Sequence, residues 1–338
     1  MSGLVLLTGA SGFIGKHIAL SALNRGWTVR GTLRSPARGD EVRAALRPHL
    51  TDAAALDRLG FVTADLEQDT GWADAMAGVV AVIHCASPFP ITQPTDAETL
   101  IRPAVQGTRR VLAAAAAAGV RRVVLTSSVA AVLDPRRQRV QDETDWCDPA
   151  APGVSPYEAS KTLAERAAWD IAAAEGLELT TINPGFVLGP PLDRHFGSSL
   201  GLVQRILQGR DPMLPPLGLP MVDVRDVAEL HLRALDRPET AGRRYIAAAG
   251  SMWLADWGRV LKAEGPGRRI PTRTAPAWMV RLLARFDPGL RVALPKLGVL
   301  EQVSAARAER DMDLRFVPAD AALRAAARWL VDEGLVRG

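Results

Sequence analysis

The chain has 338 residues, 48% of them hydrophobic, with a formal charge of +4, two cysteines and four lysines. That length holds one large α/β domain or two unequal ones, and the cysteines, Cys85 and Cys147, match no disulfide framework, metal site or redox spacing. No apolar run approaches a membrane span and no cationic-then-apolar leader opens the sequence, so a cytoplasmic protein with no membrane partner is expected. Arginine pairs such as Arg121-Arg122 and Arg136-Arg137 read as solvated surface, and no nucleic-acid partner is expected.

Taken in order, Leu4-Val-Leu-Leu7 is an apolar run of the kind that forms a strand buried on both faces of a parallel sheet. Thr8 and Gly9 end it, glycines recur at Gly12 and Gly15, and from Phe13 the pattern turns helical through Ile14, Ile18 and Leu23. A strand, a glycine turn and a helix N-terminus suit a dinucleotide pyrophosphate, with Thr8, Gly9, Ser11, Gly12, Phe13, Ile14 and Gly15 around it. Residues 27–33 read as a second strand, and Arg34 stands where an NAD enzyme keeps a carboxylate for the ribose hydroxyl, with Arg38 four residues on. A guanidinium suits a 2′-phosphate instead, which makes NADP(H) the expected cofactor.

Residues 41–59 look helical and 61–66 look like a third strand, with Asp65 either meeting the adenine end of the cofactor or capping the next turn. Residues 79–86 form a fourth buried strand. Cys85, Ala86 and Ser87 lie at its carboxyl end, where open α/β sheets bind ligands, although His84 and Cys85 read as packed core residues rather than catalytic ones. A helix over 99–118, a fifth strand over 123–126 ending in Thr126, a helix over 157–175 and a sixth strand over 179–183 follow. Such alternation predicts a Rossmann-type doubly wound parallel sheet with right-handed crossovers. Beyond Phe186 it fades, with a helix over 226–235, one returning strand over 245–249, then helices and loops closing on a helix over 320–332. Residues 1–190 and 222–250 are therefore expected to hold the cofactor. Residues 191–221 and 251–338 are expected to form a smaller, mostly helical substrate region.

Tyr157 and Lys161 lie four apart, on one side of a helix. A lysine ammonium beside a phenol favours the phenolate, so such a tyrosine can pass a proton to a carbonyl oxygen as hydride reaches the carbon. A serine hydroxyl at the end of the fifth strand is the natural third member, Ser128 ahead of Ser127.

The motifs Thr8-Gly9-x-x-Gly12-x-x-Gly15, Asp65-Leu66, Thr126-Ser-Ser128, Tyr157-x-x-x-Lys161 and Asn183-Pro-Gly-Phe-Val-Leu-Gly-Pro190 stand in the order seen in extended short-chain dehydrogenases/reductases. With His84-Cys-Ala-Ser-Pro-Phe89, Arg34 and Val222-Asp-Val-Arg-Asp-Val-Ala228, the chain resembles their dihydroflavonol-4-reductase-like branch. The resemblance implies a Ser128–Tyr157–Lys161 triad, Arg34 and Arg38 at the 2′-phosphate, and Asp65 and Leu66 beside the adenine. It also implies Lys161 on the nicotinamide ribose, and Pro184 and Val187 near the nicotinamide. Where plant flavonoid reductases place a polar ring-binding residue, this chain has Val129-Ala-Ala-Val-Leu133, which argues against a dihydroflavonol substrate.

The expected activity is NADPH-dependent reduction of an uncharged aldehyde or ketone by a monomer or homodimer. Its pocket is expected among Pro88-Phe89-Pro90, residues 129–133, 186–188 and His195-Phe196, with Arg194 and Arg225 able to swing in on an anionic substrate. A nucleotide-sugar epimerase or dehydratase is the alternative on the same scaffold, and a non-catalytic NADP-sensing regulator is the alternative of another class.

Overall fold

The computed structural model describes residues 3–87, 96–137, 139–264, 267 and 269–336. Its strands are β1 (Leu4–Thr8), β2 (Thr28–Leu33), β3 (Leu59–Thr63), β4 (Ala81–His84), β5 (Arg122–Thr126), β6 (Glu178–Pro184), β7 (Phe186–Leu188), β8 (Leu217–Asp223), β9 (Arg243–Ala247), β10 (Gly250–Trp253) and β11 (Val299–Leu300). The helices are α1 (Phe13–Asn24), α2 (Arg38–Leu46), α3 (Trp72–Met76), α4 (Glu98–Ala117), α5 (Pro156–Glu175), α6 (Ser198–Leu207), α7 (Val224–Asp236), α8 (Leu254–Glu264), α9 (Ala277–Leu283), α10 (Pro288–Ala293), α11 (Ala306–Met312) and α12 (Ala319–Asp332).

The seven-stranded sheet has the order β3-β2-β1-β4-β5-β6-β9 and every pairing in it is parallel. Both faces are covered, as an all-parallel sheet requires. Val5 and Leu7 of β1 point into the core shared with α1, α2 and α7, while Leu6 points into the opposite core with α3, α4 and α5. That is the Rossmann-type doubly wound fold.

Three sequence expectations change. The helix expected over 41–59 stops at Leu46 and gives way to short 3₁₀ turns at Arg47–His49 and Ala53–Arg58, because Pro48 has no N–H to continue the ladder. The third strand consequently begins at Leu59 and ends at Thr63, leaving Asp65 and Leu66 in the turn beyond it. The region past Ser251 is not only helices and loops. A four-stranded sheet forms around β8, which pairs with β7, β10 and β11. It rests on a core of its own, built from Val203, Ile206, Trp257, Leu261, Leu323 and Leu330 of α6, α8 and α12.

Candidate active site

Strand order reverses between β1 and β4: β2 and β3 spread to one side, β5, β6 and β9 to the other. The carboxyl ends of strands at such a reversal leave the crevice in which open α/β sheets take ligands. Thr8, Cys85 to Ser87, Thr126 to Ser128 and Pro184 all lie at these ends, which brings together four separate segments singled out in the sequence.

Gly9 leaves β1 with φ +71, a left-handed conformation that disfavours side chains. The Gly12 N–H donates to Gly9 O at 2.9 Å, turning the chain into α1. A Cβ at Gly15 would stand 2.1 Å from Gly9 O, so the helix can pack this close to the turn only with glycine there. At Gly12, by contrast, a Cβ would meet only Gly9 O, and the residue is exposed. The turn therefore has an open, side-chain-free face at the first turn of α1. That cradle fits a diphosphate, whose charge the unpaired N–H groups of the helix would meet. Ser11 and Ile14 flank it half-buried, and Phe13 is buried beneath.

Thr8 links two strand ends: its hydroxyl accepts the Ala86 N–H at 3.0 Å and is hydrogen-bonded to Nδ1 of His84 at 2.7 Å. Burial pushes His84 down to about 3, and the nearby Lys161 charge adds to the shift, so the imidazole is neutral. Burial raises the Cys85 thiol, with Thr126 and Lys161 pulling it partly back, so Cys85 is a neutral thiol. On the other side of the crevice, Arg34 is exposed just past β2 and Arg38 opens α2, its Nε donating to Glu41 at 3.2 Å. Asp65 caps its own turn by accepting the Glu67 N–H at 3.1 Å, and Leu66 packs where Gly107 of α4 leaves room for it.

The catalytic candidates come from α5 and the end of β5. Ser155 and Glu158 form a reciprocal capping box with Pro156 in the first turn, which fixes where α5 begins and so where Tyr157 projects. Lys161 Nζ lies 5.9 Å from the centre of the Tyr157 ring, and both residues are half-buried. The two serines differ sharply. The Ser127 hydroxyl is buried and donates to Glu165 on α5, while the half-buried Ser128 caps a 3₁₀ turn by accepting the Ala130 N–H at 3.1 Å.

Sequence reasoning missed Glu165. It is fully buried one further helical turn beyond Lys161, so Tyr157, Lys161 and Glu165 share a spacing of four. Its carboxylate accepts from Ser127, from Asn183 Nδ2 at 2.7 Å, from Arg244 Nε at 2.7 Å and from Trp169 Nε1 at 3.4 Å. Asn183 also donates to Ser128 O at 3.1 Å. Arg244 in turn lies 3.8 Å from the Trp146 ring centre and donates to the carbonyls of Glu143 and Asp145. One buried carboxylate thus ties α5 to the ends of β5 and β6. The spacing from Lys161 was its only sequence signal.

A model described as "NAD dependent epimerase/dehydratase family" matches residues 5–248, most of the chain. The chain belongs to this family. It is an extended short-chain dehydrogenase/reductase, a nicotinamide-dependent oxidoreductase built on the Rossmann sheet. Among its relatives, a cinnamoyl-CoA reductase of Petunia hybrida is 38% identical over 276 residues, covering 80% of each chain. A dihydroflavonol 4-reductase of Zea mays is 32% identical over 279 residues, covering 80% of this chain and 77% of that one. Among solved structures, the yeast methylglyoxal/isovaleraldehyde reductase Gre2 complexed with NADPH superposes with a TM-score of 0.80, at 28% identity over 99% of both chains.

In this short-chain dehydrogenase/reductase the expected pocket residues fare unequally. Pro88, Phe89 and Pro90 lie outside the described residues. Ala131, Val132 and Leu188 are wholly buried and cannot touch a ligand in this conformation: Val132 packs with Val129, Leu133, Ile246 and Ala248, and Leu188 with Val203, Ile206 and Trp257. Phe186 and Phe196 remain half-buried, their edges packed on Trp257 and Trp329 at 5.3 and 5.7 Å, and Val187 is half-buried beside them. The two arginines able to swing in on an anionic substrate are both engaged elsewhere. Arg225 holds Asp223 through two hydrogen bonds of 2.8 and 2.7 Å, and Arg194 holds Glu333 at 3.1 Å. The loop carrying Arg194 is fastened to α1 by the buried Lys16, paired with Asp193, and by a 3.1 Å contact between His17 and Pro190 O.

Proposed function

We propose that the chain reduces uncharged aldehydes or ketones with NADPH, through Ser128, Tyr157 and Lys161. Tyr157 and Lys161, one helical turn apart on α5, and Ser128, just past the carboxyl end of β5, carry this reading. The glycine turn, the first turn of α1 and Ala86 would hold the diphosphate. Arg34 and Arg38 would hold the 2′-phosphate, Asp65 and Leu66 would flank the adenine, and Thr126, Pro184 and Val187 would stand near the nicotinamide end. When bound, NADPH supplies the hydride that reduces the carbonyl carbon.

The Ser128 hydroxyl donates a hydrogen bond to the carbonyl oxygen and stabilises the charge growing there. Tyr157 passes its phenolic proton to the same oxygen, giving the alcohol, and the Lys161 ammonium stabilises the phenolate left behind. Residues 1–190 and 222–250 carry the cofactor on this reading, and 191–221 and 251–338 carry the substrate. An uncharged substrate is supported by the apolar side chains of Phe186, Val187 and Phe196 and by the prior engagement of Arg194 and Arg225. A diphosphate sugar set against them would lose its hydration without a compensating cation.

The test is loss of NADPH absorbance with aromatic and aliphatic aldehydes and ketones and with an aromatic acyl-CoA thioester, beside chromatography of the products from a UDP-sugar, whose epimerisation consumes no net NADPH. Neutral carbonyls should be turned over. Tyr157→Phe should lower kcat by about a hundred- to ten-thousand-fold, the usual worth of a general acid, while NADPH binding persists. Turnover of the UDP-sugar or the thioester alone would overturn the substrate class, and an active Tyr157→Phe would overturn the acid.

A further inference from the structure

Seven large apolar side chains stand exposed among the described residues, and four of them, Trp278, Leu282, Leu283 and Phe286, lie within nine positions on and just after α9. Trp278 is 66% exposed and Phe286 82%. The inner side of the same segment is anchored by Val280 and Ala284, at 3% and 2% exposure, so the outer face is held out by packing beneath it. A cluster of this kind marks an interaction surface rather than ordinary scatter.

Its charge is as lopsided as its hydropathy. Residues 273–291 contain four arginines, Arg273, Arg281, Arg285 and Arg291, and one acid, Asp287, which faces Arg205 at 3.8 Å. Arg281 and Arg285 are exposed among the apolar side chains, and neither meets a carboxylate among the described residues. Arg291 is turned back to the carbonyls of Ala284 and Arg285, at 2.9 and 3.1 Å, which fixes the end of the segment.

We propose that this face docks reversibly on an anionic lipid surface. Trp278 and Phe286 would sit at headgroup depth with Leu282 and Leu283 beside them, and Arg281 and Arg285 would meet lipid phosphates. A second copy fits worse, because a two-fold contact through this patch would set Arg281 and Arg285 against their own symmetry mates. The contact is peripheral, since no helix among the described residues is long and apolar enough to cross a membrane. It departs from the sequence expectation of no membrane partner, which rested on the lack of a span. It is independent of the proposed substrate.

The experiment is co-sedimentation of the whole protein with vesicles of phosphatidylcholine alone or mixed with phosphatidylglycerol. The mixed vesicles should bind it and the neutral ones should not, with binding weakened by added salt. Trp278→Ser with Phe286→Ser should weaken binding at least tenfold, on the scale of the apolar burial lost. Arg281→Gln with Arg285→Gln should cost about fivefold for each charge removed. Both variants change exposed side chains, and circular dichroism with reductase activity verifies that they remain folded. Failure of the parent protein to sediment overturns the proposal, as does binding that survives the paired serine substitution. A parent dimer that the serine substitutions split would assign the patch to a second copy instead.

Discussion

The Ser127 hydroxyl donates to Glu165 inside the core, and the Ser128 hydroxyl caps a turn at the edge of the crevice, so their alanine variants should fail in different ways. Ser127→Ala removes a hydrogen bond to a buried carboxylate and should cost about 1.5–3 kcal/mol of stability with a modest effect on kcat. Ser128→Ala loses one turn cap and should cost no more than about 1 kcal/mol of stability, while lowering kcat by about a hundred- to thousand-fold. Melts and steady-state rates on both variants check this, and the opposite pattern would exchange their roles. For the cofactor, Arg34→Asp should weaken NADPH binding by about 1.5–3 kcal/mol, the worth of a charge-assisted hydrogen bond, while sparing NADH. Equal affinities for the two cofactors in the parent protein would sink that assignment. At this scale the Tyr157–Lys161 pair was legible because both members sit within one helical turn. The tie between Ser127 and Glu165 was not, because it spans 38 positions and exists only once α5 has packed on the sheet.

Between elements, one contact at the start of α5 comes from far along the chain. Lys296 bonds Glu158 at 2.7 Å and Glu301 at 2.8 Å, and Glu158 also closes the capping box of α5 next to Tyr157. Burial alone would lower the Lys296 pKa, but the Glu301 and Glu158 carboxylates outweigh it and hold the ammonium above the usual lysine value. Lys296→Met leaves two carboxylates, 3% and 10% exposed, facing each other without their cation. It should cost about 2–3 kcal/mol, somewhat less than a wholly enclosed pair because Lys296 is itself 23% exposed. Denaturant titrations of the variant, with and without Glu301→Gln, measure this; an undiminished midpoint in Lys296→Met would refute it. β1, β4 and β5 of the main sheet were readable because strands buried on both faces are nearly continuous apolar runs. The small sheet was not, since β7 and β11 are three and two residues long and β8 carries Gly218 and Pro220, residues that argue against a strand.

The whole molecule should lose stability in mild acid. Burial holds His17, His84 and His231 down to about 4, 3 and 4, whereas in an unfolded chain they titrate near about 6.5. Above that pH they are neutral in both states and their contribution is complete. Below it the unfolded chain takes up protons that the native state refuses until its own pKa values are reached, at up to about 1.4 kcal/mol per pH unit for each histidine. Asp226 acts in the opposite sense, since burial raises it to about 6 and the native state gains a proton first as pH falls. It offsets about one histidine, and Glu143, also raised by burial, opposes them in the same direction. Thermal melts should therefore show a falling midpoint from pH 6.5 toward 4, and a level midpoint across that range would contradict the buried, neutral state of the three rings.

The placement of the lysines also decides how the protein can be handled. Of the four, Lys16 is buried against Asp193, Lys161 sits half-buried beside Tyr157, and Lys296 is held between two glutamates. Lys262, near the end of α8, is the one whose side chain stands exposed. Amine-reactive dyes, biotin esters and activated resins will therefore find one favoured lysine on the folded chain. Coupling through it attaches the protein by the exposed side of α8 near its end.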